Sequence, residues 1–381
     1  MRICMFTRST AYHHTGGMED HIEMLVNELN KQHEVIVITT DLDKELKQKP
    51  KNYYFLHGTK PGNYSKNFWV KSREKFLELH GKKKFDIIHS QSSGAFGILS
   101  GKRPDIPIVM SFHGTLLDEF RTNMKINKNP LIKAGLTGSF FLRYIRDSYK
   151  IRRCDGIIAT SNEQAVLLKK FYNFPDKKIF RVYNGIDTDL FRPGKHDNKK
   201  IILAMARFIK QKGIQNIIMA MPKITEKVSD VELILIGDGP YREELENITK
   251  QLKLNDVKFM GFVSFNKLPE CFNACSVFVN PTMQQNGYDL TIIEAMACAK
   301  PVVVSDLGSV PTAVNSKNGI LIKPGDIQEL SNACIKLLEN RKLSSELGKQ
   351  GRKDAVGKFS KEKMATGTVK VYKNLIENFS I

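Results

Sequence analysis

What the chain lacks narrows it first. One tryptophan in 381 residues, and few aromatics near the basic runs, leave no stacking platform for single-stranded nucleic acid, so no nucleic-acid partner is expected. The six cysteines (Cys4, Cys154, Cys271, Cys275, Cys298, Cys334) form no C-x-x-C pair. They read as buried reduced thiols, not as a disulfide framework or a zinc site. No apolar run approaches the ~20 residues of a membrane-spanning helix. The opening MRICMFTRST reads as a strand and turn, not as a secretory signal, so a cytoplasmic protein is expected. A P-loop, H-E-x-x-H and G-x-S-x-G are all missing, which removes the simplest ATPase, metalloprotease and α/β-hydrolase readings. The His13-His14 pair has no third ligand at a useful spacing, so no metal is expected.

Acid is also in short supply: 59 Lys and Arg face 40 Asp and Glu, a net charge of +19. Residues 1–185 carry 31 cations against 18 acids, so most of the excess lies in the first half. Such a bias suits phosphorylated substrates or an anionic membrane, and also serves solubility alone.

What is present is an alternation of short β-branched runs with longer helical patterns, the mark of parallel α/β units. Strands are expected at 2–6, 34–40, 86–91, 107–113, 156–161, 179–184, 200–207, 232–237, 257–263, 276–281 and 301–306. Helices are expected at 18–31, at 162–172 with Ser161 and Gln164 as a capping box, and at 240–254 with Pro240 in its first turn. The turn-rich segment 184–194 marks a domain boundary. The length suits two domains of similar size. Two doubly wound α/β domains place ligands beyond the carboxyl ends of their strands, in a cleft between them.

Residues just after strands therefore matter most. Gly16-Gly17 precede a helix carrying Glu19, Asp20 and His21, and suit either a tight turn or close backbone approach to an anion. His113 ends the strand PIVMSFH, where it either touches ligand or caps the next segment. Arg207 and Lys212 follow the strand at 200 and can embrace a diphosphate, one as a planar fork and one as a point charge. Gly237-x-Gly239 has Arg242 at the third glycine position of G-x-G-x-x-G, an incomplete dinucleotide fingerprint. In NGYDLTIIEAMA, Thr291-x-x-Glu294 fits a capping box, and Glu294 fits a ligand carboxylate equally well.

Six of these signals stand in the order and spacing of one family: Gly16-Gly17-x-Glu19, His113-Gly114, Asn184-Gly185-Ile186-Asp187 with Phe191-x-Pro193, Arg207 with Lys212-Gly213, Gly237-Asp238-Gly239-Pro240, and Glu294-Ala295-Met296-Ala297. The chain resembles glycosyltransferase family 4, also described as glycosyl transferase group 1, from residue 1 to about 370. The resemblance implies the α/β GT-B fold: an acceptor-binding Rossmann-like domain over 1–186, a donor-binding one over 187–360, and a helix over 361–381 crossing back to the first. It implies a retaining, metal-independent hexosyltransferase using a nucleotide-diphosphate sugar, with no cofactor beyond that substrate.

The resemblance also assigns roles. Arg207, Lys212 and the backbone at Leu290-Thr291 would hold the diphosphate, and Glu294 the ribose hydroxyls. His113 and Gly17 would sit over the sugar, with Gly16, Glu19 and His21 on the acceptor side. The family has two glutamates eight residues apart; here Asn286 fills the first position, and Asp289 replaces the usual glycine three residues later. Asn286, Gly287, Tyr288 and Asp289 are expected to form a rearranged sugar-binding edge that alters donor specificity.

The acceptor would be a glycan or a lipid-linked one. PLIKAGLTGSFFLRYIRDSYKIRR, 130–153, mixes Leu, Ile and Phe with six cations and one acid, a composition that suits an anionic membrane surface and equally a core helix with a solvated basic face. Peripheral attachment to the cytoplasmic face follows from the first reading. A nucleotide-sugar epimerase of the same fold and a non-catalytic binding protein are the alternatives.

Overall fold

A computed structural model describes the chain except for residues 14–15, 44–45, 47, 49, 115, 118–119, 122–123, 125–128, 196–198, 285–288 and 380–381. The chain divides into two compact units, Met1–Gly185 with Lys361–Ile381, and Ile186–Ser360.

The first unit holds seven parallel strands: β1 (Arg2–Phe6), β2 (Glu34–Thr40), β3 (Tyr53–Leu56), β4 (Ile87–Gln91), β5 (Ile108–Phe112), β6 (Gly156–Ala159) and β7 (Ile179–Arg181). Their spatial order is β3-β2-β1-β4-β5-β6-β7. Strands β1, β4 and β5 are buried on both faces apart from Arg2, as the near-continuous apolar runs of β1 and β5 require in a parallel sheet covered by helices. One face packs under the helices Lys66–Lys82 and Asn162–Tyr172. The other gathers Ile3, Met5, Ile87 and Val109 with Met364, Val371 and Tyr372 of the last helix, Lys361–Glu377.

The second unit holds β8 (Lys200–Met205), β9 (Val231–Ile236), β10 (Val257–Gly261), β11 (Val277–Asn280), β12 (Val302–Ser305) and β13 (Ile320–Ile322), all parallel, in the order β10-β9-β8-β11-β12-β13. In both sheets the first strand of the unit sits between the second and the fourth. The strand order therefore reverses between β1 and β4, and again between β8 and β11. Such switch points are where the connecting loops diverge and leave a crevice at the carboxyl ends of the strands.

Two strands, β3 and β13, lie outside the sequence expectation, and several strands end earlier than expected. The strand expected to run to Arg207 stops at Met205, because Phe208 turns to donate its N–H to Asp238 O at 2.8 Å. The helix expected from Pro240 begins at Arg242 instead, after a turn over 240–241. Ser161 caps its helix by accepting from Gln164 N, but the Gln164 side chain reaches Thr160 N at 3.0 Å, one residue beyond a capping box.

Candidate active site

The second unit's switch point is built from two loops laced together. After β8 the chain runs through Arg207, which is exposed, into a single turn over Lys210–Lys212. Gly213 then starts the helix Ile214–Lys227 from the left-handed region, φ +71°, and a Cβ there would lie 1.9 Å from Pro281 O. Only glycine lets this loop come so close to the one after β11. Met283 N donates to Gln211 O at 2.8 Å and completes the lacing. Gly237, at φ +134°, serves the same purpose: a Cβ would sit 1.9 Å from Ala206 O, so the incomplete dinucleotide motif supports the loop that carries Arg207.

This lacing brings Lys212 to Asp289. Lys212 Nζ lies 2.5 Å from Asp289 Oδ1, and Asn280 Nδ2 donates to Asp289 Oδ2 at 2.9 Å. Burial would raise the Asp289 carboxyl, but the Lys212 charge and the bonds from Lys212 and Asn280 outweigh it and hold the group below its ordinary value. Asp289 is also the N-cap of the helix Leu290–Ala297, yet its side chain makes no capping bond, being turned to Lys212 instead.

This position corrects the capping-box alternative. Thr291 lies inside the helix, not at its cap, and its hydroxyl is buried with no hydrogen-bond partner among the described residues. Glu294 sits a full turn in and is only 6% exposed, beyond the position a capping-box carboxylate takes. Leu290 opens the helix, so the backbone N–H groups at Leu290 and Thr291 belong to its positive end. Asn286, Gly287 and Tyr288 lie outside the described residues.

The first unit's switch point is of another kind. Gly16 is extended at φ 179°, a conformation open to any residue, and the helix Gly17–Asn30 starts after it. Glu19 is buried and accepts the Ser9 hydroxyl. Burial, with Glu19 and Glu23 nearby, pushes the neighbouring Asp20 up to about 6. His13 bonds to Thr10 and Thr40, an assignment to loop structure.

Three imidazoles cluster here. The ring centroids of His21 and His113 are 4.9 Å apart, edge to face. His113 Nε2 lies 2.7 Å from Gln91 Oε1, and Gln91 Nε2 lies 3.4 Å from His89 Nε2. His89 also meets Ser111 Oγ at 2.7 Å and Tyr372 Oη at 2.6 Å. Burial drives the ring of His21 down to about 4 and that of His89 to about 3, and burial with the charges of His21, His89 and Arg8 carries His113 well below its ordinary value. All three are neutral at pH 7.

The structure thus joins Lys212 with Asp289, and His21 with His113, among the residues singled out in the sequence. It adds Asn280, His89, Gln91 and Tyr372. A signal for two of these was present: His-Ser-Gln inside a strand that is otherwise apolar marks polar groups that burial must pair. Tyr372, near the end of the chain, carried no such sign.

The model of glycosyl transferases group 1 matches residues 185–354, and that of glycosyltransferase family 4 matches residues 15–190. N-acetyl-alpha-D-glucosaminyl L-malate synthase of Bacillus anthracis is 26% identical, over 97% of this chain and 97% of its own. Alpha-monoglucosyldiacylglycerol synthase of Streptococcus pneumoniae is 25% identical, over 80% of this chain and 70% of its own. Among solved structures, Anabaena HepE in complex with UDP-glucose superposes with a TM-score of 0.75 at 19% identity, over 98% of this chain and 100% of that one.

Proposed function

Because the chain belongs to the glycosyltransferases of group 1 and family 4, with the two Rossmann-like units of the GT-B fold, we propose that it moves a hexose from a nucleotide-diphosphate donor to a glycan or lipid-linked acceptor with retention of configuration and without a metal ion. The observation that carries this reading is the Lys212–Asp289–Asn280 cluster at the switch point of the second unit. Lys212 and Arg207 meet the diphosphate, and the backbone N–H groups at Leu290 and Thr291 add the positive end of a helix. These groups stabilise the charge that grows on the departing phosphate, a task in which each preorganised donor contributes roughly 10²–10³ in rate. Glu294 accepts the ribose hydroxyls. On the second unit Asp289 is the sugar-facing carboxylate, and on the first unit His113 is a contact for a sugar hydroxyl. The complex of HepE with UDP-glucose supports a donor of this class.

The acceptor is carried by a membrane in this reading. The helix Pro130–Ile151 buries Ser148 and Ile151, and Tyr144 packs on Phe171 at 4.7 Å. Its opposite face is apolar and exposed: Leu131 at 81%, Leu142 at 74% and Ile145 at 64%, with Tyr149 in line with them. Their spacing of 11, 3 and 4 residues keeps them on one face. Arg143, Arg146 and Lys150 flank that stripe, and Asp147 is the helix's one acid. A cationic apolar face of this size fits an anionic lipid surface better than a second copy, whose like charges would repel. Among the described residues no helix is long and apolar enough to cross a membrane. The name of the pneumococcal relative, a glucosyldiacylglycerol synthase, supports a lipid acceptor.

The test is a melting-temperature screen against UDP-, GDP- and ADP-sugars, followed by transfer assays with the stabilising donor in the presence of EDTA. One donor should raise the melting temperature by mass action, and transfer should survive chelation. No shift with any donor at millimolar concentration removes the donor site, and loss of transfer with EDTA removes the metal-free mechanism.

A further inference from the structure

His89, Gln91, Ser111 and His113 fall on one face of the first sheet. Gln91 pairs with Ser111 in the parallel ladder, and alternate residues share a face. It is the face covered by the last helix, where Tyr372 packs with Met5, Ile87 and Val109. His89 is 0% exposed and Tyr372 is 0% exposed, so the hydrogen bonds they make are inside the protein.

The orientation of the Gln91 amide decides where the protons lie. An amide oxygen only accepts and an amide nitrogen only donates. Gln91 Nε2 faces His89 Nε2 at 3.4 Å and Met5 Sδ at 3.7 Å, both able to accept. The flipped amide would lose the N–H···S contact with Met5 and set its oxygen against the sulfur, and it would require the opposite tautomers, with His89 protonated on Nε2 and His113 on Nδ1. Gln91 Oε1 therefore faces His113 Nε2, 2.7 Å away, and that nitrogen must carry the ring proton. His89 Nε2 is then bare and takes the Ser111 hydroxyl proton at 2.7 Å. His89 Nδ1 bears the proton and donates to Tyr372 Oη at 2.6 Å.

We propose that Tyr372, His89 and Gln91 are positioning residues that lock His113 in the tautomer with its proton on Nε2, leaving Nδ1 as a bare acceptor for a sugar hydroxyl. The inference rests on the reading of His113 as a sugar contact. It goes further by fixing the polarity of that contact: His113 receives a hydrogen bond and does not give one at Nδ1. Beside it, His21 is buried, and neither of its ring nitrogens has a hydrogen-bond partner among the described residues. Two adjacent imidazoles thus offer unfilled hydrogen-bonding capacity together, as a polyhydroxylated ligand would use.

The test is long-range ¹H–¹⁵N correlation on the full chain labelled with ¹⁵N-histidine, the His113 signals being identified by their loss in His113→Asn. Wild type is expected to show His113 with Nδ1 bare and Nε2 protonated from pH 6 to 8. A protonated Nδ1, or an even mixture, overturns the proposal. Tyr372→Phe removes one hydroxyl without changing shape, so it should fold. It is expected to release His89, shift His113 toward a mixture of tautomers and lower kcat/KM by about tenfold, the factor of one lost hydrogen bond. Unchanged imidazole shifts in Tyr372→Phe break the outer link and the proposal with it. Gln91→Leu should lose the Nε2 tautomer, and Gln91→Glu, which still accepts from Nε2–H, should restore it; equal spectra for the two variants count against the lock. These spectra need no sugar transfer, so they decide the tautomer even if the transferase reading fails. Transfer that proceeds with the other tautomer refutes this inference alone.

Discussion

The two units share a strand order and differ in how they equip the crevice it creates. The second answers with charge: exposed Arg207, Lys212 paired with Asp289, and a helix start. The first answers with neutral rings, three imidazoles kept uncharged by burial, two of them tied to an amide, a hydroxyl and a phenol. The same backbone solution therefore hosts opposite electrostatics. A phosphate-bearing ligand is recognised by fixed cations, whereas a polyhydroxylated one is recognised by neutral donors and acceptors that pay no desolvation penalty for charge.

The contrast can be broken most strongly at Lys212. Lys212→Ala is expected to lower turnover by roughly 10²–10³, as loss of a transition-state cation does. The urea midpoint should move little, because the Lys212–Asp289 pair is partly open to solvent, with side chains 19% and 26% exposed. A rate within a factor of three of wild type would place the phosphate elsewhere.

Acid offers a second test of moderate size. Unfolded imidazoles take up protons at their ordinary value of 6.5, while folded His21 and His89 stay neutral to about 4 and about 3. The unfolded state then binds more protons, so stability is full above pH 6.5 and is lost as the pH falls toward those values. Asp20, raised to about 6, works in the opposite sense and regains stability as the pH drops below that value. The balance is a net loss of roughly 3 kcal/mol in the first unit by pH 5, at about 1.4 kcal/mol per pH unit for each group. The one tryptophan, Trp69, lies in that unit and reports it selectively. Its fluorescence midpoint in urea should fall between pH 7 and 5, while the described depressed carboxylates of the second unit, Asp289, Asp354 and Glu232, begin to titrate only below their ordinary 3.8 (Asp) and 4.5 (Glu). A Trp69 midpoint that does not move with pH would show that the histidines are not held neutral by the fold.

The smallest effect on the fold belongs to the exposed stripe. Leu142→Asp with Ile145→Asp should leave the urea midpoint within about 0.5 kcal/mol of wild type, as surface changes do. The same variant should lose retention on phosphatidylglycerol vesicles in co-sedimentation. Equal retention of wild type and variant would return this helix to an ordinary solvated face.

The sequence made much of the architecture legible, because buried parallel strands such as Glu34–Thr40 and Val302–Ser305 are near-continuous apolar runs. It hid Tyr53–Leu56 and Ile320–Ile322, which lie at sheet edges, pair on one side only and need no such run. Lys212, Asp289 and His113 were visible because they follow strands. Their partners were not. Asn280 ends its strand as an unremarkable amide, the polar run that holds His89 and Gln91 does not say what they pair with, and Tyr372 reaches His89 across 283 residues of chain, a separation that no local pattern encodes. The Thr291–Glu294 spacing offered a capping box that Asp289 displaced by starting the helix two residues earlier.

The placement of the last helix also sets the order of assembly. Chains emerge from the ribosome at ~5–20 residues per second, so β1 to β7 are available long before Lys361–Glu377 is made. Until then Ile3, Met5, Ile87 and Val109 lack the cover of Val371 and Tyr372, and His89 lacks its phenol. The second unit, contiguous from Ile186 to Ser360, can close on itself first. The beginning of the chain is thus among the last parts to reach its native state, and a chain lacking Lys361–Ile381 would leave an intact second unit attached to an unfinished first one.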